Sequence, residues 1–380
     1  MIAKARENVI RVVVACGLAA MLQPTVTWGD SLCVKKKLKV VGGYVHLEDA
    51  LKTYSKCPSA FTEVLNTDQF KGQDGSLRVY GDGSAGALTL TSKATLNTAN
   101  TQYTNVTIAQ GATLIVPSGT TIRCSGSFTN KGTIEVQNYA WGGRHGSVAS
   151  GILTAQGSFA HPGILPSAAG NGALGNTTTL TYGSPGPTGL YGGAGQARQI
   201  VRPGPLGGGG GGAGGFIGGA GGGTLTVLCK GAVTNQGKIE AAGATPLVNF
   251  GDGGGGGGIV ILASRASVTN DSSGTVDVRG GDGGDSYAGA AAGGGGGGGL
   301  VHFIAPEVNS KGIIFETGGT AGDGDAAASN SRRFGGGAGG AGYGAGGAGG
   351  SVAVSNVSGD GTKGAEGIEL ETLADPTSLF

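Results

Sequence analysis

The sequence predicts an all-β chain: a β-solenoid of the parallel β-helix kind, with glycine-rich polyglycine II helices packed beside it and a small N-terminal module. Three observations carry that expectation. Over residues 88–136 the chain is written in short runs of β-branched residues, broken at regular intervals by glycine. A motif of strand residue, Asn, Gly turn and apolar residue then recurs down the chain. Finally, near-pure glycine runs, at 207–212, 253–258 and 293–299, stand directly before or close to the recurring strands. Glycine loses the most conformational entropy on folding and has no side chain to bury, so such runs are either loose spacers or backbone gripped by very close neighbours.

Residues 1–29 read as a secretory signal. Lys4, Arg6 and Arg11 form a basic end, and 12–22 is an apolar stretch of h-region length, too short to span a membrane. A lipobox-like Val13-Val14-Ala15-Cys16 leaves lipidation at Cys16 as the alternative. No later apolar run is long enough for a transmembrane helix, so the expected location is secreted or cell-surface. Residues 30–80 form the small module, with the basic cluster Lys35-Lys36-Lys37-Leu38-Lys39 and a first disulfide pair in Cys33 and Cys57. An even count of cysteines after the signal, in an exported chain, favours disulfides over metal ligands, and no C-x-x-C spacing is present. The partners of Cys124 and Cys229 stay open.

Residues 81–140 begin the solenoid. Strands this short suit a stack of coils with a narrow interior; a β-sandwich is the alternative that the spacing permits. Residues 141–205 interrupt the repeat as an insertion, and a long loop on a rigid stack is where a binding surface is commonly placed. Residues 206–358 carry the repeat itself. Phe128-Thr129-Asn130-Lys131-Gly132 matches Val233-Thr234-Asn235-Gln236-Gly237, then Val268-Thr269-Asn270 with Gly274, then more loosely Val308-Asn309-Ser310-Lys311-Gly312. The spacing is 35 positions from Asn235 to Asn270 and 39 from Asn270 to Asn309, a period that means stacked units. A strand precedes each later copy, and 351–354 reads as a fifth such strand, leaving 359–380 as a C-terminal tail. Ala213, Ala338, Ala341 and Ala345 interrupt the glycine runs and are expected where a helix faces outward.

Function is only faintly legible. Charged residues are 13% and the net charge is +1, which argues against a nucleic-acid partner. None of His46, His145, His161 and His302 sits in a catalytic motif, and no catalytic residue is expected. Trp141, Arg144 and His145 on a glycine-rich loop could stack on a sugar ring or cap a solenoid coil; Tyr182 and Tyr191 in the insertion are further ligand-binding candidates. Asp282 and Asp285 nearly match a calcium-binding nonapeptide, a weak metal candidate; no other cofactor is indicated. The functional expectation is an exported non-enzymatic surface or extracellular-matrix protein, adhesin-like, meeting a surface glycan, another protein or its own copies. A carbohydrate-active β-helix enzyme, which needs carboxylates about 5–10 Å apart, and an ice-binding polyglycine II bundle are the rivals.

Over residues 200–355 the alternation of glycine runs and short strands resembles the polyglycine II sandwich of the distal tail-fibre adhesins of T-even-type phages. It also resembles glycine-rich β-solenoid exoproteins of bacteria. The first resemblance implies that loops at the bundle tip bind a receptor. The export signal is more in keeping with the second.

Overall fold

Strands of two to six residues cannot hold themselves together; they are stable here because each is laid in register on the next. The computed structural model describes residues 76–144, 201, 203, 207–248, 250–286, 291–324, 335–351 and 359–380, and the strand segments 31–35, 40–41, 44–45, 51–54, 61–66, 148–149 and 152–153. The chain divides into two units, residues 1–74 and 75–380.

In the first unit β1 (Ser31–Lys35) lies between β4 (Leu51–Tyr54) and β5 (Phe61–Asn66) in an antiparallel sheet, and β2 (Val40–Val41) pairs with β3 (Tyr44–Val45). Cys33 lies in β1 opposite Lys52 and Glu63, while Cys57 falls outside the described residues.

The second unit opens with the short helix α1 (Ser76–Tyr80) and then winds six coils of three strands. The coils are β6 (Leu88–Leu90), β7 (Ala94–Thr95), β8 (Gln102–Tyr103); β9 (Val106–Ile108), β10 (Thr113–Val116), β11 (Thr120–Cys124); and β12 (Phe128–Asn130), β13 (Thr133–Val136), which reach their third strand only after a long excursion that includes the hairpin β14 (Val148–Ala149) and β15 (Ile152–Leu153). That third strand is β16 (Thr224–Cys229). There follow β17 (Val233–Asn235), β18 (Lys238–Glu240), β19 (Ile259–Ser264); β20 (Ser267–Asn270), β21 (Thr275–Asp277), β22 (Leu300–Ile304); and β23 (Glu307–Ser310), β24 (Ile313–Phe315), β25 (Ile368–Thr372). Three parallel six-stranded sheets result, and the sandwich alternative is excluded by their parallel register.

The Asn motif is the clearest link from sequence to register. Asn130, Asn235 and Asn270 are register partners, point inward and are fully buried. The Asn130 side-chain amide donates to Asn235 Oδ1 at 2.8 Å, and that of Asn235 to Asn270 Oδ1 at 2.9 Å. In the last coil Ser310 occupies this position, and Asn270 Nδ2 is left buried without a partner. One apolar core runs up the axis, from Val106, Ile108 and Phe128 through Val227, Ile239 and Val260 to Val301 and Phe303. Register then stacks Glu369 on Val301 and Glu371 on Phe303, so the last coil aims carboxylates at the axis. Burial, with Glu371 and Glu316 nearby, raises the Glu369 carboxyl above its ordinary range. Charge in that direction discourages further strands from adding.

The sheet containing β16, β19 and β22 is buried on both faces. Its outer side chains, among them Ile259, Ile261, Leu300 and Ile304, join Val79 and Tyr80 of α1, Ala341 and Phe380 in a second cluster. The Tyr80 hydroxyl, 3.0 Å from Thr377 Oγ1 and 3.4 Å from Asp375 Oδ1, fastens the two ends of this unit over it. His302, also outward on this sheet, is nearly buried with Nε2 2.8 Å from Thr372 Oγ1, a structural placement.

In the last four coils the chain leaves the solenoid after β13, β18, β21 and β24 and returns at the next strand, and the glycine runs lie on these excursions. They are extended segments bonded to one another with a period of three. Within 253–258, Gly253 and Gly256 donate to Gly212 and Gly209, Gly254 and Gly257 to Gly294 and Gly297, and Gly255 and Gly258 to Ala244 and Ala241, all at 2.8–3.0 Å. The same segment accepts from Gly219 and Gly222, from Gly340, and from Gly281. Three donor directions and three acceptor directions give six neighbours, the arrangement of threefold polyglycine II helices. The 291–299 run repeats it, donating to 278–284, 337–340 and 362–365. Among the glycines of these runs, only Gly251, at a turn, has a positive φ, 68°. Glycine is needed for closeness: a Cβ on Gly254, Gly255, Gly257 or Gly296 would come within 3.0 Å of a neighbour's backbone.

Two expectations are corrected. The last strand of the sheet is β25, which the sequence reading did not place; the strand expected at 351–354 lies, but for Ser351, outside the described residues. Residues 359–380, read as a tail, supply a bundle segment donating to 319, 322, 345 and 348 and then that strand. Ala213, Ala338 and Ala341 do not face outward. All three are buried, and the Ala341 methyl belongs to the apolar cluster over the β19–β22 face.

Candidate functional site

A polyglycine helix can present side chains only where it lacks a neighbour, so the bundle's chemistry is confined to its margins. The side chains with most to offer a partner gather around residues 141–144, 214–217 and 247–252. Gly143 donates to Gly211, Gly218 to Gly143, and Arg144 makes an isolated bridge with Ile217, which anchors the start of the insertion to the 207–221 segments. Trp141, on the same segment, is 72% exposed, and Phe216, at the turn between two glycine segments, is 51% exposed. The Phe216 and Phe250 rings lie 6.2 Å apart, and Leu247 is almost entirely in solvent.

Asp252 holds the turn that carries Phe216. Its Oδ1 accepts from Gly214 N at 2.8 Å and Phe216 N at 2.9 Å, a small nest of backbone donors. The residue is fully buried and Oδ2 has no partner. Burial raises its carboxyl to about 6, the backbone donors opposing that shift without cancelling it. No sequence pattern singled out this residue; Gly251-Asp252-Gly253 reads as one more interruption of a glycine run.

Of the sequence candidates, Trp141 and Arg144 are thus placed near one another, while His145, Tyr182 and Tyr191 lie outside the described residues. Asp282 and Asp285 are exposed on one edge of the bundle, three residues and therefore one turn apart, about 9 Å along a helix rising 3.1 Å per residue. Each is engaged with the next helix: Asp282 Oδ1 accepts from Thr320 N (2.7 Å) and Thr320 Oγ1 (2.8 Å), and Asp285 Oδ1 from Asp323 N (3.0 Å). Asp360 Oδ1 does the same for Gly324 N at 2.7 Å. These carboxylates take up backbone donors that have no glycine helix beside them. Among the described residues no group of three or more His, Cys, Asp or Glu side chains is gathered as a metal site.

Asp277 is tied to Arg279 by two charge-assisted bonds, Nη2 to Oδ2 at 2.7 Å and Nε to Oδ1 at 3.0 Å, and the guanidinium lies 4.8 Å from the Phe315 ring centre. The Cys124 and Cys229 thiols are unlinked in this structure and fully buried inside the solenoid. Among the described residues no helix is long and apolar enough to cross a membrane. Comparison with protein-family models, curated proteins and solved structures gives no match to this chain.

Proposed function

We propose that the chain is an exported, non-enzymatic surface or extracellular-matrix protein that adheres through the margin of its glycine bundle. The observation that carries this reading is the contrast between a bundle with almost no side chains and the exposed Trp141, Phe216 and Leu247, with Arg144 beside them. Aromatic and arginine side chains on a rigid support are the residue types that dominate contact energies. The bundle supplies rigidity, since every neighbour holds every other. The carboxylates at Asp277, Asp282 and Asp285 each serve an internal partner, which favours a binding role over paired-acid catalysis.

The test is adhesion of fluorescently labelled full-length chain to a panel of intact cells and immobilised glycans, beside Trp141→Ala and Phe216→Ala. The reading predicts retention on a subset of surfaces and at least a tenfold loss for one or both variants, about 1.4 kcal/mol or more. Retention that is equal for all three chains would refute the contact zone. A polysaccharide-cleaving activity would refute the non-enzymatic reading.

A further inference from the structure

We infer that Cys124 and Cys229 form a disulfide that staples the second coil to the third across the chain's longest excursion. The two residues are direct register partners on the parallel strands β11 and β16, at inward positions of adjacent coils. Neighbouring strands lie about 4.7–4.9 Å apart, inside the Cα separation of about 4.4–6.8 Å that disulfides accept. Both side chains are fully buried in the same apolar core. Tyr103 and Ser264 occupy the same register column one coil below and one coil above, so no other cysteine stands on that column.

The place matters as much as the geometry. Residues 137–223 leave the solenoid within the third coil, between β13 and β16, and they include the whole insertion. Between β11 and the returning β16 only non-covalent contacts are made, because the backbone passes from the second coil to the third two strands earlier, at residues 125–127. Cys229 is the only cysteine after residue 124, so a covalent tie across the excursion has to use it. Burial pushes the Cys229 thiol well above its ordinary range. In the closed solenoid it therefore stays protonated and unreactive, and bond formation belongs to the folding chain, before β16 closes over β11.

With a low-molecular-weight disulfide such as oxidised glutathione as oxidant, one cysteine thiolate attacks a glutathione sulfur and releases one glutathione thiolate. The other cysteine thiolate then attacks the mixed disulfide at the protein sulfur and releases the second. Two protein thiols are oxidised, one glutathione disulfide is reduced, and the two protons lost by the cysteines end on the two released glutathione thiolates, giving two thiols. Once formed, the bond is shielded from reductant by the core.

The inference rests on the export reading only for the oxidant met in a cell, and the experiment separates the two. Full-length chain is prepared in a reducing cytoplasm, unfolded in urea and refolded into a mixture of oxidised and reduced glutathione. A second sample is recovered from an exporting host. Both are alkylated without reduction, digested with trypsin and examined by mass spectrometry. The expected product joins peptide 124–131 to peptide 199–230, lost on reduction and absent from Cys124→Ala. If refolded wild-type chain yields both cysteines alkylated, the disulfide is refuted. If the refolded chain is linked and the exported chain is not, the export reading fails and the disulfide stands.

Discussion

Replacing Gly255 with alanine separates a packed bundle from loose glycine loops by the sign of the effect. In a flexible loop Gly→Ala stabilises by about 0.4–1 kcal/mol, because the unfolded chain has less freedom to lose. In the structure Gly255 sits at the middle of a six-neighbour helix, and its Cβ would overlap the carbonyl group of Ala220 and approach Gly221 N. Restoring ordinary contact moves the 218–223 segment by more than an ångström. That segment is held by Gly219 N donating to Gly253 O and Gly222 N to Gly256 O, both at 2.8 Å. Both bonds break and their groups stay buried, at about 1–3 kcal/mol each. After the unfolded-state gain, the expected net loss is roughly 2–5 kcal/mol. For a unit of this size that lowers Tm by roughly 4–15 °C in a calorimetric scan. A Tm that holds or rises would refute close packing at this position.

Three further outcomes follow from particular contacts. Asn235→Ala removes both links of the buried Asn column, to Asn130 and Asn270, together with its bond to Thr275 O, which costs about 2–4 kcal/mol in urea unfolding; Ser310→Asn, which offers Asn270 Nδ2 its missing acceptor, gains up to about 1 kcal/mol. Asp252 has a folded-state value of about 6 against the ordinary 3.8, so its unfavourable share of stability is absent below about pH 4, grows as pH rises, and is complete above about pH 6. Asp252→Asn removes that slope: relative to wild type it gains up to about 3 kcal/mol between pH 4 and 7, and a difference independent of pH would show that the carboxyl does not titrate in this window. Tyr80→Phe releases the hydroxyl from Thr377 and Asp375 and lowers stability by about 0.5–1.5 kcal/mol, read from the same urea curves; an unchanged midpoint would show that this contact does not fasten the ends.

The solenoid was legible because its register is written in residue types. Asn at the inward turn position returns in three coils, and a strand stacked one residue out of register would expose that side chain and turn every apolar neighbour outward. The glycine runs were legible as close-packed backbone, since they lack side chains for any other role. Which six segments surround a given run was not legible: glycine carries no code for partner choice, and the neighbours are set by where β13, β18, β21 and β24 release the chain. The final strand was missed for a physical reason. In Ile368-Glu369-Leu370-Glu371-Thr372 the positions that face the axis are glutamates, because no further coil covers them, so the alternation looked inverted. Ala341 was misjudged because its methyl fits where a helix meets the sheet's side chains. Of the candidate site, Trp141 and Arg144 were visible as unusual residues on a glycine-rich stretch; Phe216, Phe250 and Asp252 become neighbours only through the turns at 214–217 and 247–252.

The central claim is that the glycine segments are held by one another as firmly as the strands are held in their sheets. Amide hydrogen exchange of the full chain, resolved to 253–258 and 293–299 and compared with β19 and β22, tests it most directly. Protection within about tenfold of those strands is the predicted result, because each glycine N–H has a backbone acceptor at 2.8–3.0 Å inside the bundle. Exchange in those segments at the rate of an unstructured peptide, while β19 and β22 stay protected, would contradict it.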